Sequence, residues 1–422
     1  MGSFKLKNLD WFVIYIYIYL FTMPLHFANA QVPILSGILF IWAIIKFKKE
    51  FLLKLKSIST FLPILLLFLF FGYCYISILW SNPMIEGLKH INTFYKYYFF
   101  FIPALLVSLN KEQAITAIKV LTASFGWYSI YSILIYLGFF NSSEYGFSPS
   151  NPTGHLRYLI STQYMIFGTF LSALFVYYSQ SKKEKGLFIL IGLLCFFALF
   201  INNSRTSQLS FFLIILIFSL IFLKRYIFNI KALVLIFLLL SSSVYFLYEN
   251  NKLSRFENAY NQLTNVINNQ EYKGSLGVRL YFNKVGISIL KENLFFGTGP
   301  HDNRILLQEI EKNDPNYLGD GGNGRIINHF HSEQMDTLTA YGLIGYSLLL
   351  FSVIFLLYSL RKHPLYYYQS LAVFLSLFFN SFANKTLSVR PLNYVYVVFF
   401  LLFAIIAFKL NEKEKDKIEN YS

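Results

Sequence analysis

The chain has 422 residues, of which 56% are hydrophobic and only 14% are charged, and its mean hydropathy is +0.50. Because soluble domains average about 25% charged residues, this composition excludes an ordinary soluble enzyme and indicates an integral membrane protein. The net charge of +15 is explained by basic residues beside apolar segments, which face the anionic inner leaflet, so nucleic acid is not an expected partner.

Apolar runs long enough to cross a bilayer recur along the chain. A helical span needs about 20 residues, and continuous runs such as 61–80 and 232–247 lack the alternation of a transmembrane β-barrel. The pattern predicts an all-α, polytopic membrane protein. Twelve spans are expected at 11–28, 32–46, 60–80, 93–109, 117–140, 162–179, 187–202, 206–223, 232–248, 334–358, 365–383 and 394–409.

The distribution of Lys and Arg predicts that both termini are cytoplasmic. With twelve spans, segments on the side of the termini hold 21 of the 36 Lys and Arg, whereas the short loops on the other side hold six, and short cytoplasmic loops carry the excess of positive charge. The chain then divides into nine spans in 1–248, a large outer loop at 249–333, three spans in 334–410 and a cytoplasmic tail at 411–422.

Arg205 is the first candidate functional residue, in the segment INNSRTSQLSFF between the seventh and eighth predicted spans. An interfacial arginine can simply extend its guanidinium to the lipid headgroups, or it can mark a functional site. The turn is too short to extend far into water, and Asn202, Asn203 and Ser204 surround it with polar groups. Because the guanidinium fork matches phosphate oxygens, we expect Arg205 to bind an anion.

Arg279 is the second candidate, in the segment GVRLYFNKVGISILKENLFFGTGPHDNR. The spacing of Leu280, Val285 and Ile289 predicts a helix from 278 to about 293, which places Arg279 at the helix N-terminus, where anions are attracted. The Gly-Thr-Gly-Pro stretch is interpreted as a helix stop and not as a nucleotide loop, because the helix precedes the glycines.

His329 and His331 are the third candidate, in HFHSEQMDTLTAYGLIG at the entrance to the tenth predicted span. Three interpretations stay open. In extended backbone the two rings point the same way and suit one metal ion, although no further Cys or His cluster supplies more ligands. They are otherwise structural, or one is a general base, since imidazole accepts a proton near neutral pH. Ser332 is predicted to cap the helix that begins near Glu333.

These outer-face residues together predict a group transfer at the membrane boundary. Two arginines suit a diphosphate, and a histidine suits the deprotonation of an alcohol. The matching reaction moves a group from a lipid diphosphate, whose tail lies in the bilayer, to a hydroxyl acceptor. The departing diphosphate supplies the driving force, so no nucleotide is required.

At these residues the chain resembles the O-antigen ligase family, within the superfamily of O-antigen ligases and polymerases. The resemblance consists of SRTSQL after an apolar span, of Arg279 followed by FFGTGP, and of HFHSEQMDTLTAYGLIG, which is similar to the family's His-x-His-Asn segment before its next span. It extends from about 187 to 358, and Ser332 stands where the family usually has Asn.

The resemblance implies a glycosyltransferase of the bacterial inner membrane whose active site and large loop are periplasmic. Its predicted partners are membrane lipid, a glycan donor linked to undecaprenyl diphosphate and a lipid A–core acceptor, and neither a metal nor another cofactor is expected. Arg205 and Arg279 match the family's pyrophosphate-binding arginines, and His331 matches its proposed base. His329 and His301 are expected to contact the substrates.

Other activities stay open. A polymerase of the same superfamily joins lipid-linked repeat units, and an O-oligosaccharyltransferase transfers glycan to protein hydroxyls; both would use similar outer-face residues. A transporter or flippase belongs to another class, but the predicted spans lack the paired mid-membrane carboxylates and the two-half arrangement of transporters. Cys74 and Cys195 lie inside predicted spans, which argues against a disulfide.

Overall fold

The computed structural model describes residues 10–202 except 29, 141, 143 and 145, and then 204–226, 241, 254–313 and 329–419. These parts of the chain are helical, which confirms the predicted all-α class. The helices are α1 (Trp11–Thr22), α2 (Gln31–Phe47), α3 (Lys49–Ser59), α4 (Leu62–Ile76), α5 (Met84–Tyr95), α6 (Tyr98–Ser108), α7 (Lys111–Tyr136), α8 (Tyr158–Tyr178), α9 (Lys182–Ile201), α10 (Arg205–Tyr226), α11 (Ser254–Asn269), α12 (Gly274–Glu292), α13 (Asp302–Asn313), α14 (Glu333–Leu360), α15 (Pro364–Ser381) and α16 (Arg390–Glu419).

Seven of these helices are long and apolar enough to cross a membrane: α4 with its 3-10 extension, α7, α8, α9, α10, α14 and α16. Helices α2 and α3 make an eighth span if the two, bent by 109°, count as one. The count of twelve is therefore not confirmed in the described part of the chain. Helix α1 has only 12 residues, α5 and α6 divide the fourth predicted span, and the ninth, 232–248, lies outside the described residues except at 241.

Helix α16 forms the centre of the bundle. In its most apolar stretch 94% of the residues are buried, against 28% in α14, and a helix that is hydrophobic on all sides belongs to the interior. Phe399 of α16 packs against Phe125 of α7 and Phe167 of α8, at centroid distances of 6.0 and 5.4 Å. The C-terminal helix therefore holds the N-terminal half against the last spans, and α14 lies at the periphery of the bundle.

The connection between α12 and α13 docks on a break in α14. The break is at Gly342, whose φ of 62° lies in the left-handed region, and the amide of Gly299 donates to the freed carbonyl of Ala340 at 3.0 Å. A Cβ on Gly297 would lie 2.4 Å from the same carbonyl oxygen, so this approach requires glycine. The glycines predicted to stop a helix thus also fasten the outer segment to the helix that follows the histidines.

Candidate functional site

The predicted site residues meet at residues 380–388, which run from the end of α15 into the loop before α16 and are called here the 380–388 segment. Arg279 reaches the segment from α12. Residues 329–332, called here the histidine stretch, reach it from the start of α14. The start of α10, where Arg205 lies, is bonded to the first residue of the segment. The segment was not singled out in the sequence, and it organises the site.

Arg279 lies in the second turn of α12 and is half-exposed. Because α12 begins at Gly274, the prediction that Arg279 occupies the helix N-terminus is wrong, and the helix dipole does not explain its role. Its Nε donates to the carbonyl of Ala383 at 3.1 Å, and its Nη1 donates to the carbonyl of Ser275 at 3.3 Å. These bonds fix the guanidinium against the 380–388 segment and leave further N–H groups for a ligand.

The two histidines lie side by side. Their ring centroids are 4.1 Å apart at an interplanar angle of 82°, and the ring of His331 stacks on Phe282 of α12 at 5.7 Å. His331 has a φ of 51°, which is uncommon for a residue with a Cβ and is a kind of strain that clusters at functional sites. The extended backbone on which the shared-metal interpretation depended is therefore not present at His331.

The electrostatic surroundings keep His329 uncharged. Burial lowers its pKa to about 3, and the charges of Lys385 and His331 act in the same direction. His329 is therefore neutral at physiological pH and its ring nitrogens serve as one donor and one acceptor. In the described parts of the chain no three His, Cys, Asp or Glu side chains are arranged to hold a metal ion.

Ser332 fastens the histidine stretch to α14 and to the 380–388 segment. Its side chain accepts the amide of Met335 at 3.3 Å, which confirms the predicted N-cap, and its hydroxyl donates to the carbonyl of Ser381 at 3.3 Å. The serine in place of the family's usual Asn therefore still caps the helix.

The carboxylate of Glu333 is the main anchor of the 380–388 segment. One oxygen accepts the backbone amides of Thr386, Leu387 and Ser388 at 3.0, 3.1 and 3.0 Å, and the other accepts the Ser388 hydroxyl at 3.0 Å. Glu333 is 7% exposed, so these charge-assisted bonds form in a poorly hydrated place where they are strong. The loop is folded around the residue that follows the histidine stretch.

Arg205 is the first residue of α10 and is exposed. Two positions later, the hydroxyl of Ser207 bonds to that of Thr162 on α8 at 2.8 Å and donates to Asn380 at 3.3 Å. Asn380 precedes by three residues the Ala383 carbonyl that Arg279 contacts. Arg205 and Arg279 thus stand on two helices that are fastened to the same short segment.

Three charged side chains that were given no role in the sequence gather beside the histidines: Asp336 on α14, Arg304 on α13 and Lys385 in the 380–388 segment. Burial lowers the pKa of Lys385 to about 8; Arg304 and Arg157 also lower it, and the carboxylates of Asp336 and Glu333 oppose the shift. The three-residue spacing of Glu333 and Asp336 places both on one helix face and was visible in the sequence. Arg304 and Lys385 join them only through the tertiary fold.

His301 lies among the same groups, just before α13, with a φ of 89°. Its ring centroid is 6.1 Å from that of His90 on α5. Burial, together with Arg304 and His301, lowers the pKa of His90 to about 2, so His90 is neutral. The contact that the structure gives His301 is therefore with α5.

The described residues are helical and include seven helices of membrane length with a cluster of charges at their ends, which indicates a multi-pass membrane protein. Residues 190–350 match the family model described as O-antigen ligase. The match supports the assignment to the O-antigen ligase family that the motifs implied, and with it a broad O-antigen ligase or polymerase type of function. No curated protein matches the chain. The matched residues include both arginines and both histidines, whereas His90 and the 380–388 segment lie outside them.

Proposed function

We propose that this protein transfers a polysaccharide from undecaprenyl diphosphate to a sugar hydroxyl of lipid A–core, at the periplasmic face of the inner membrane. One observation carries the proposal. Arg279 and the stretch that contains His329 and His331 are held by hydrogen bonds against one short segment, at the ends of membrane-length helices. In this proposal Arg279 is the phosphate-binding group and the histidine is the proton acceptor, and their attachment to the same segment supports it.

In the proposed reaction, His331 removes the proton from the acceptor hydroxyl, whose oxygen attacks the anomeric carbon of the donor. The bond from that carbon to the diphosphate breaks on the opposite face, so the configuration inverts. Arg205 and Arg279 bind the diphosphate and stabilise the charge that grows as it leaves; such preorganised charges commonly supply about 3 kcal/mol each. The scheme uses no metal or other cofactor, because the guanidinium groups carry the charge stabilisation.

An apolar groove between α14, α15 and α16 supports a lipid-linked donor. Its walls include Val353, Phe374 and Leu377, and its polar end includes Glu333 and Ser381. The polar end is formed by the same residues that fasten the histidine stretch to the 380–388 segment. An isoprenoid chain lying in this groove would present its diphosphate to the segment that Arg279 contacts.

The test is a gel of surface glycolipid from a strain that lacks the gene, complemented with wild type, His331→Ala or Arg279→Ala. We expect wild type to restore polymer on lipid A–core, and each variant to leave bare lipid A–core while full-length polymer accumulates on the lipid carrier. Arg279→Lys should also fail, because an ammonium keeps the charge but loses the bidentate fork. Immunoblots of the membrane fraction establish that each variant is inserted.

Lys291→Ala is the matched control, since Lys291 lies exposed in the last turn of the same helix as Arg279 and should support normal transfer. Wild-type-like transfer by both His331→Ala and Arg279→Ala would contradict the proposed site. Lipid A–core bearing a single repeat unit in the strain without the gene would indicate a polymerase instead.

A further inference from the structure

A half-open cavity at the end of the bundle away from the histidine stretch has no part in the proposed reaction. It measures about 510 Å³ and is lined by α3, by the joint between α6 and α7, and by the C-terminal part of α16. The lining residues of α16 are Phe408, Lys409 and Glu412, which lie about 20 residues after the helix start at Arg390.

The length of α16 places this cavity relative to the bilayer. An α-helix rises about 1.5 Å per residue, so the cavity lies about 30 Å from Arg390 along the helix, which is the thickness of the hydrocarbon core of a membrane. Arg390 follows the 380–388 segment directly. The cavity therefore lies at the opposite bilayer surface, on the side predicted to be cytoplasmic.

Helix α3, which forms one wall, runs along that surface. It follows α2 at a bend of 109°, so it does not continue the path of α2 through the bilayer. Leu52 and Leu53 are 70% and 68% exposed, and Lys54 and Lys56 of the same helix are exposed beside them. Exposed leucines next to lysines are typical of a helix that lies in the headgroup region of a membrane. Helix α3 therefore brings its lysines to the level of the lipid headgroups.

The charged groups of the cavity wall are two ammonium groups and one carboxylate. Lys54 Nζ lies 3.1 Å from Glu50 Oε2 and 4.3 Å from the ring centroid of Phe47, and Lys409 Nζ lies 2.7 Å from Glu412 Oε2. Each of these four charged side chains is at least 40% exposed. Ion pairs at such positions contribute little to stability, so the ammonium groups can turn to a ligand at small cost.

The rest of the wall is mostly apolar and includes Leu53, Ile58, Leu106 and Leu109. Apolar walls with a few polar groups are typical of ligand sites, which measure about 300–1,000 Å³. A lipid whose headgroup carries both signs of charge matches this wall: its phosphate suits the two lysines, its cationic group suits Glu412, and an acyl chain suits the leucines. A headgroup with negative charge alone would be repelled by Glu412.

We propose that this cavity binds one molecule of a zwitterionic aminophospholipid, with the phosphate on Lys54 and Lys409 and the ammonium group on Glu412. The bound lipid connects the surface helix α3 to α16, the central helix of the bundle. A ligand that binds only the folded protein stabilises it, so this lipid holds α3 against the bundle. The inference does not depend on the proposed reaction.

The test uses the full chain, purified in detergent and depleted of lipid. Palmitoyl-oleoyl phosphatidylethanolamine or phosphatidylglycerol with the same acyl chains is added, and the lipid retained after gel filtration is measured by mass spectrometry. We expect phosphatidylethanolamine to bind on the order of tenfold more tightly, the effect of one hydrogen bond to a charged group, and to raise the unfolding temperature. Binding of phosphatidylglycerol that is equal or tighter would overturn the proposal.

Three substitutions in the cavity wall separate the two contacts of the headgroup. Glu412→Gln should remove the preference between the two lipids, because the contact with the ammonium group is lost. Lys54→Gln and Lys409→Gln should each weaken the binding of both lipids, because the phosphate is common to them. Unfolding temperatures without added lipid establish that each variant is folded.

Lys56→Gln is the matched control, since Lys56 lies exposed on α3 outside the cavity wall and should leave the binding of both lipids unchanged. Phosphatidylethanolamine binding that is as tight in all three cavity variants as in wild type would refute the site. A loss in Lys56→Gln as large as the loss in Lys54→Gln would assign the binding to the general basic charge of α3 and would also refute the site.

Discussion

Two buried polar clusters of this protein differ in how completely their hydrogen bonds are formed. Around Asn380 the bonds are made: its amide donates to Gln163 and to the carbonyl of Ser376 at 2.6 and 3.1 Å, and it accepts from Ser207 at 3.3 Å. Around Asp336 the carboxylate has no partner in the described residues. Native structures satisfy nearly all buried polar groups, and the first cluster, which does so, holds α8, α10 and α15 together.

The two clusters share the 380–388 segment, which begins with Asn380 and carries Lys385 near its middle. Its first residue is fixed inside the bundle, and its last three residues are fixed by Glu333. Between these fixed ends, the segment offers the Ala383 carbonyl to Arg279 and places Lys385 near the charges of Asp336 and Arg304. The hydrogen bonds at the two ends of the segment thus position its middle, which carries Ala383 and Lys385.

Of the substitutions considered, Glu333→Ala should have the largest effect on stability and transfer, because it removes the acceptor of three amides and one hydroxyl at once. Unsatisfied buried donors cost roughly 1–3 kcal/mol each, so we expect a loss of stability of about 3 kcal/mol or more and no detectable transfer. Thermal unfolding of the purified protein in detergent and the transfer assay measure the two effects.

Glu333→Gln is the matched variant. Its amide oxygen can take the three backbone donors and its amide group can donate to the Ser388 hydroxyl, so stability and transfer should largely return. An unfolding temperature of Glu333→Ala equal to that of wild type would show that Glu333 does not hold the segment.

Lys385 provides the next test, through pH. The ammonium of Lys385 compensates the buried Asp336 carboxylate, and with a pKa of about 8 it is charged below that pH and loses its proton as pH rises. Transfer should therefore fall about tenfold between about pH 7 and about pH 9. The charged groups that face Lys385 are Arg304, Arg157, Asp336 and Glu333, and the nearby His329 and His90 are neutral over this range.

Lys385→Arg should remove the decline, because a guanidinium stays charged, and Lys385→Met should transfer poorly at every pH. A decline that persists unchanged in Lys385→Arg would assign it to another group.

Asn380→Leu should have the smallest effect, on stability alone. The substitution leaves the Gln163 amide oxygen without its donor and removes one of the hydrogen bonds of the Ser207 hydroxyl, and a loss of about 1–3 kcal/mol is expected. Transfer should continue in protein that remains folded, because the site charges are untouched. In a double-mutant cycle with Gln163→Leu, the stability loss of the double variant should be smaller than the sum of the two single losses, since both substitutions remove the same bond. A loss equal to that sum would contradict the coupling.

Helix α12 shows where local sequence stops being informative. The apolar spacing predicts its body correctly, but two of its first four residues, Gly274 and Gly277, are glycines, which have low helix propensity. They are helical because Gln262 of α11 accepts the amide of Leu276 at 3.0 Å. This tertiary contact moves the helix start to Gly274, and so changes the position of Arg279 from the first turn to the second.

The sequence by itself determined the membrane class, the helical fold and the histidine and arginine motifs, because apolar run length, helix capping and motif spacing are local properties of the chain. Only the tertiary structure decided which charges share a site. Asp336 and Lys385 are far apart in the chain, and Arg304 belongs to a third element. Their proximity follows from Glu333 folding the 380–388 segment and from the glycine contact at the α14 break, and neither long-range contact leaves a periodic signal in the sequence.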